Sequence, residues 1–160
     1  MERQQFNIIL ADDHEVMIQG LSSLINAEQN LKVIALAHNG EELIKTVTIC
    51  QPDLCIVDLD MPRLNGLEAS EKLLKIYPDL KILILSMHKE KSLLKRIKLL
   101  GIKGYVLKTC DSSELLFAIN QIIKGKTFFA DELVDSFIQT QAESNPLPDK
   151  HIIVGLSGRE

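Results

Sequence analysis

The chain has 160 residues, the size of one ordinary domain with room for a short appendage. At 46% hydrophobic residues it can build a core, which excludes a disordered chain, and no apolar run approaches the roughly 18 residues of a membrane span. With 18 Lys and Arg against 22 Asp and Glu, the net charge of -4 gives no reason to expect a nucleic-acid-binding surface. Cys50, Cys55 and Cys110 show no CxxC spacing, which fits reduced thiols in a soluble cytoplasmic protein. The short apolar start is cut off by Asp12 and Asp13 before it could act as a signal segment.

Five short apolar runs follow in order: Ile8 to Ala11, Val33 to Ala37, Leu54 to Val57, Ile82 to Leu85 and Tyr105 to Leu107. They are mostly continuous rather than alternating, as strands covered on both faces require. Each precedes a stretch with helical spacing. Val16, Leu21, Leu24 and Ile25 make one apolar stripe, and Leu115, Leu116, Ile119, Ile122 and Ile123 make another. Gly40, Pro52, Asn65-Gly66 and Pro78 punctuate the elements. The spacing predicts an α/β fold, a (βα)5 doubly wound, five-stranded parallel sheet with right-handed crossovers, here taken as residues 1–125.

Beyond Gly125 the pattern changes. Residues 126–142 read as an additional helix, with Leu133, Val134, Phe137 and Ile138 on its apolar side. Residues 143–155, with Asn145-Pro146 and Pro148, read as a linker. At 156–160, Ser157 as N-cap and Glu160 three positions on announce a further helix that the sequence stops inside.

The chemistry-bearing residues fall at the carboxyl ends of the predicted strands, where open α/β sheets bind ligands. Asp12 and Asp13 follow the first strand, Asp58 ends the third, Ser86 the fourth and Lys108 the fifth. With strand order 2-1-3-4-5, both acidic sites flank the switch-point crevice. Carboxylates about 4 Å apart repel by about 4 kcal/mol per pair at an effective dielectric of about 20. A hard divalent cation such as Mg²⁺ removes that cost. A carboxylate nucleophile, a cation, the Lys108 ammonium and the Ser86 hydroxyl around one pocket are what phosphoryl transfer needs.

In this order and at these separations, Asp12-Asp13, Asp58, Met61-Pro62 with Gly66, Ser86, and Lys108 in Gly104-Tyr-Val-Leu-Lys108 resemble a two-component response-regulator receiver domain over about residues 5 to 125. The resemblance implies a CheY-like, flavodoxin-like fold in which Asp58 accepts phosphoryl from a phosphohistidine on a sensor histidine kinase. It implies Mg²⁺ held by Asp13 and Asp58, with Asp12 assisting through water and the Asp60 backbone carbonyl as a further ligand. Ser86 would hydrogen-bond the phosphoryl group, Lys108 would pair with it, and Tyr105 matches an aromatic switch position. Leu156-Ser-Gly-Arg-Glu160 resembles the opening of a LuxR-type helix-turn-helix, as in NarL/FixJ-type regulators. This implies DNA binding through a C-terminal domain, transcription control and a homodimer when phosphorylated. Ser86 replaces the common Thr, Met87 stands where a small residue is usual, Cys110 replaces a frequent Pro, and Asp60 and His88 fill the two variable positions beside the phosphoryl group.

Other readings compete. Asp13 can N-cap the first helix, Ser86 the helix after the fourth strand, and Tyr105 can be a packing residue. Lys89, Lys91, Lys95, Arg96, Lys98 and Lys103 face only Glu90, as either a solvated helix face or a docking surface. His38 and His151 read as surface residues, and a Zn²⁺ site at His14 or His88 needs a closer cluster. The enzyme alternative is a haloacid-dehalogenase-like phosphatase with Asp58 as nucleophile and Asp60 as general acid. A flavodoxin-like nucleotide binder is disfavoured because Asp12-Asp13 put negative charge where phosphate would be cradled.

Overall fold

The computed structural model describes residues 4–130. Five parallel strands and five helices alternate: β1 (Phe6–Ala11), α1 (Glu15–Asn26), β2 (Leu31–Ala37), α2 (Gly40–Cys50), β3 (Leu54–Asp58), α3 (Gly66–Ile76), β4 (Lys81–Ser86), α4 (Lys91–Leu100), β5 (Gly104–Leu107) and α5 (Ser112–Ile123). A two-residue strand, β6 (Phe128–Phe129), ends the series. Strand order is β2-β1-β3-β4-β5-β6 and every pairing is parallel. Among the described residues no helix is long and apolar enough to cross a membrane.

The continuous apolar runs become central strands because both sheet faces are covered. Side chains alternate along a strand. Ile8, Leu10, Leu54, Ile56, Leu83, Leu85 and Val106 therefore pack on one face with Ile18 and Ile25 of α1 and Leu115, Ala118, Ile119 and Ile122 of α5. Ile9, Cys55, Val57, Ile82 and Ile84 supply the opposite face and are fully buried. Burial pushes the Cys55 thiol up to about 12, so it is a packing residue and not a nucleophile.

Two expectations are corrected. Residues 128 and 129 do not begin a helix: they add a sixth strand, with Gly104 opposite Phe128 and Tyr105 opposite Phe129. The edge of β5 offers unpaired backbone groups, and Phe128 donates its N–H to the Lys103 carbonyl at 3.0 Å while Ala130 donates to Tyr105 at 2.9 Å. The Phe128 ring also meets Phe117 edge-on, with centroids 5.7 Å apart. The rest of the expected helix, the linker and the segment 156–160 lie outside the described residues. The stripe on α1 is shifted too. Val16 is 88% exposed, and Ile18 takes the core position, because the helix starts only at Glu15 and turns Val16 outward.

Three helix starts, those of α2, α3 and α5, are capped by side chains. Asn65 accepts from the Glu68 backbone N–H, Asn39 from Glu42 and Asp111 from Glu114, each at 2.8 Å. Gly66 opens α3 hard against the end of β3, donating its N–H to the Leu59 carbonyl at 2.9 Å. A Cβ there would collide with the Asp58 carbonyl. Gly66→Ala therefore lowers unfolding free energy by about 1–3 kcal/mol, as overpacking does, and displaces the Asp58 backbone. Urea denaturation checks this; an unchanged midpoint contradicts it.

Candidate functional site

The parallel register ends β1, β3, β4 and β5 at one sheet edge, so the residues just past them meet. Lys108 Nζ lies 3.1 Å from Asp12 Oδ2 and 3.1 Å from Asp58 Oδ2. The two carboxylates and the lysine are nearly buried, their side chains 3%, 2% and 9% exposed. Asp13 stands at the rim and is exposed. Neither it nor Ser86 caps a helix: the N-caps of α1 and α4 are His14 and Glu90, neither with a side-chain cap bond.

Charge does not balance in this pocket. Burial pushes the Asp58 carboxyl above the usual carboxylate range, and the Asp12 charge adds to that while Lys108 opposes it. Burial alone would lower Lys108, but Asp58 and Asp12 outweigh it and hold the ammonium above its ordinary value. Asp12 Oδ2 and Asp58 Oδ2 receive the lysine's charge yet no well-directed hydrogen bond. Buried carboxylate oxygens left this way fit a divalent cation, and Asp12, Asp13 and Asp58 lie close enough together to offer oxygen atoms around one. The site is one atom richer than the sequence suggested: His14 offers a ring nitrogen, and the donor atoms of Asp12, Asp13, His14 and Asp58 all lie within 4.8 Å of one another. Only the fold reveals this, because the His14 ring has to turn back toward Asp12 Oδ1 (3.0 Å) and Asp13 Oδ1 (3.2 Å).

A second group links the loops after β3 and β4. Ser86 is fully buried, and its Oγ accepts the His88 backbone N–H at 3.0 Å. Tyr105, 1% exposed and so turned inward, donates its hydroxyl to the His88 carbonyl at 2.6 Å. Burial raises the Tyr105 phenol above its ordinary value, which keeps it a donor. The His88 Nε2 lies 2.9 Å from Asp60 Oδ2, while the Asp60 backbone N–H reaches Asp58 Oδ1 at 3.3 Å. The two variable positions thus touch each other, a contact with no signature in a sequence where they stand 28 residues apart. Met87 is exposed. His38 lies between Glu15 and Glu42 at 3.3 and 3.1 Å, with 44% of its side chain exposed, so it is a surface residue that contacts carboxylates.

The response regulator receiver domain family matches residues 8–120. The chain belongs to this family. The transcriptional regulatory protein DesR of Bacillus subtilis (strain 168) is 35% identical over 90% of this chain and 70% of its own length. A crystal structure of a LuxR-family two-component response regulator from Aurantimonas sp. SI85-9A1 superposes with a TM-score of 0.83 at 27% identity, over 87% of this chain and 99% of that one. The isolated receiver domain of RcsB from Salmonella enterica serovar Typhimurium, solved with the phosphomimetic BeF₃⁻, gives 0.77 at 25% identity, over 82% of this chain and 98% of that one. These relatives make the chain a receiver of the NarL/FixJ, LuxR-type kind. Receiver domains bind Mg²⁺ at the acidic pocket. The phosphatase alternative falls, since the acids that meet Asp58 precede it in the chain. The receiver spans between 59% and 70% of the length of curated relatives that it matches.

Proposed function

We propose that this receiver is a phosphorylation switch in which Asp58 takes a phosphoryl group from a phosphohistidine of a sensor histidine kinase. The observation that carries the reading is the placement of Lys108 Nζ at 3.1 Å from both Asp12 and Asp58, three charged side chains from three strand ends in one nearly closed pocket. An Asp58 carboxylate oxygen attacks phosphorus, the phosphorus–nitrogen bond breaks, and its electron pair leaves on the imidazole. Lys108 pairs with a phosphoryl oxygen and Ser86 donates its hydroxyl to another. Asp13, Asp58 and the Asp60 backbone carbonyl would hold Mg²⁺, with Asp12 assisting through water, and the bound ion would supply positive charge beside the transferring group.

The acyl phosphate adds acceptor oxygens and charge at the end of β3. Ser86 reaches for them, and His88 follows because its N–H rests on Ser86 Oγ and its carbonyl holds the Tyr105 hydroxyl. That shift at the β4–α4 loop and β5 biases a pre-existing equilibrium toward an active, dimerising state. Exposed Lys91, Lys95 and Arg96 on α4 suit a docking face. Residues 1–125 serve as the receiver, 126–142 and 143–155 as connection, and 156–160 as the first residues of a LuxR-type DNA-binding domain. The protein acts in the cytoplasm on transcription, with no turnover beyond slow self-dephosphorylation.

Incubation with Mg²⁺ and acetyl phosphate, or with a competent kinase, adds the mass of one phosphoryl group to the intact chain. No gain with either reagent contradicts the switch. Ser86→Ala keeps that gain but loses most of the amide shifts that phosphorylation causes in residues 87–107. Undiminished shifts in a two-dimensional ¹H–¹⁵N spectrum would mean that Ser86 is not the relay.

A further inference from the structure

We propose that β6 is a latch on Tyr105: Phe129 shuts the ring in from the open side of β5, so that the state of the phosphoacceptor pocket sets how firmly β6 is held. The inference deepens the receiver reading and rests on it, since it concerns how that pocket's signal crosses the sheet. Tyr105 has two register partners, Ile84 on β4 and Phe129 on β6. Partners in register carry their side chains on the same face of a sheet. Ile84 is fully buried, so the β4 side gives the ring no way out, and Phe129 stands on the other side. Lys98 of α4 lies over the Phe129 ring, 4.8 Å from its centroid. That puts Phe129 on the α4 face, where the Tyr105 hydroxyl meets the His88 carbonyl. Behind this cover Tyr105 is 1% exposed, although β5 would be the sheet's edge without β6.

The backbone ties the latch to the same residue. Ala130 donates its N–H to the Tyr105 carbonyl at 2.9 Å, and Phe128 donates to the Lys103 carbonyl at 3.0 Å. A strand of two residues at a sheet edge belongs to the parts of a fold that open most easily. A ring that leaves the His88 carbonyl has to push past Phe129, and β6 has to loosen to let it pass. A ring held at that carbonyl keeps Phe129 seated. A phosphoryl group on Asp58 that draws Ser86 toward it takes His88 along, because the His88 N–H rests on Ser86 Oγ, and so fixes the carbonyl that holds Tyr105. The coupling is reciprocal: phosphorylation tightens β6, and loosening β6 weakens the pocket's hold on a phosphoryl mimic by the same factor.

The test uses the full chain, its Phe129→Ala and Phe129→Leu variants, and beryllium fluoride with Mg²⁺ as the phosphoryl mimic. In the wild type, bound mimic should slow hydrogen exchange at the Ala130 amide by roughly 5-fold or more. With 3-fluorotyrosine at the chain's two tyrosines, Tyr77 and Tyr105, Phe129→Ala should give Tyr105 a second, solvent-exposed ¹⁹F resonance that the mimic removes. The same variant should bind the mimic roughly 5-fold more weakly, because only the molecules with Tyr105 inward are competent. Phe129→Leu should show both changes to a lesser degree, and it carries the test where Phe129→Ala does not fold. Mimic binding that leaves Ala130 exchange unchanged, or variants with the Tyr105 resonance and affinity of the wild type, overturns the latch and leaves the receiver reading intact. No binding of the mimic to the wild type at any Mg²⁺ concentration overturns both.

Discussion

In magnesium-free buffer at neutral pH, Asp58→Asn takes up no phosphoryl group and yet unfolds at a higher temperature than the wild type. Asp58 lies almost fully buried beside Asp12, and its carboxyl is raised above the ordinary range by desolvation first and by the Asp12 charge second. Lys108 offsets only part of this, being shared with Asp12. The native state therefore binds the Asp58 proton more tightly than the unfolded chain does. Stability from this group is fully present below the unfolded carboxylate value and falls as pH rises through the higher folded value. Asn keeps the shape without the charge, and the gain at neutral pH is on the order of 1–2 kcal/mol, the surplus of repulsion and desolvation over attraction. The advantage fades at acidic pH, where wild-type Asp58 is protonated, and in Mg²⁺, which stabilises the wild type by binding its native state. Thermal melts of both proteins across pH, with and without Mg²⁺, check the sign. A less stable Asp58→Asn in magnesium-free neutral buffer would show that Lys108 already balances the pocket.

The opposite change comes from Lys108→Met. It leaves two buried carboxylates, Asp12 and Asp58, without the ammonium that lies 3.1 Å from each. Breaking a buried charge arrangement by removing one partner costs roughly 3–5 kcal/mol, more than the attraction itself is worth, because the remaining charges stay desolvated. Mg²⁺ restores part of the loss, since it supplies positive charge to the same oxygens. Phosphoryl uptake from acetyl phosphate also slows, because no side-chain cation stabilises the transferring group. Denaturant unfolding with and without Mg²⁺ measures the first effect and intact mass against time the second. A variant as stable as the wild type would separate Lys108 from the carboxylates.

Why the sequence was so readable at Asp12, Asp58, Ser86 and Lys108 follows from the sheet. Each comes straight after an unbroken apolar run, and parallel strands in register carry their ends to one edge, so position along the chain converts directly into position in space. Asn65-Gly66 was legible as punctuation for a similar local reason, while the Asn65 cap and the tight contact that bars a side chain at Gly66 come from the fold. What stayed hidden depends on tertiary detail. β6 is specified by the open edge of β5, and the apolar spacing that follows Phe129 resembles a helix continuing backward. Val16 was assigned inward because helical spacing fixes a stripe only once the first helical residue is known. His14 and the Asp60–His88 pair emerge from side-chain directions at loops, where neither periodicity nor spacing constrains the rotamer.

The most direct test is the ¹⁹F spectrum of the wild-type chain with beryllium fluoride, titrated with Mg²⁺. The account predicts bound fluoride resonances that appear only when Mg²⁺ is present and are missing in Asp58→Asn. Bound resonances that form equally well without Mg²⁺, or none at any Mg²⁺ concentration, would contradict a carboxylate that accepts phosphoryl through a shared cation.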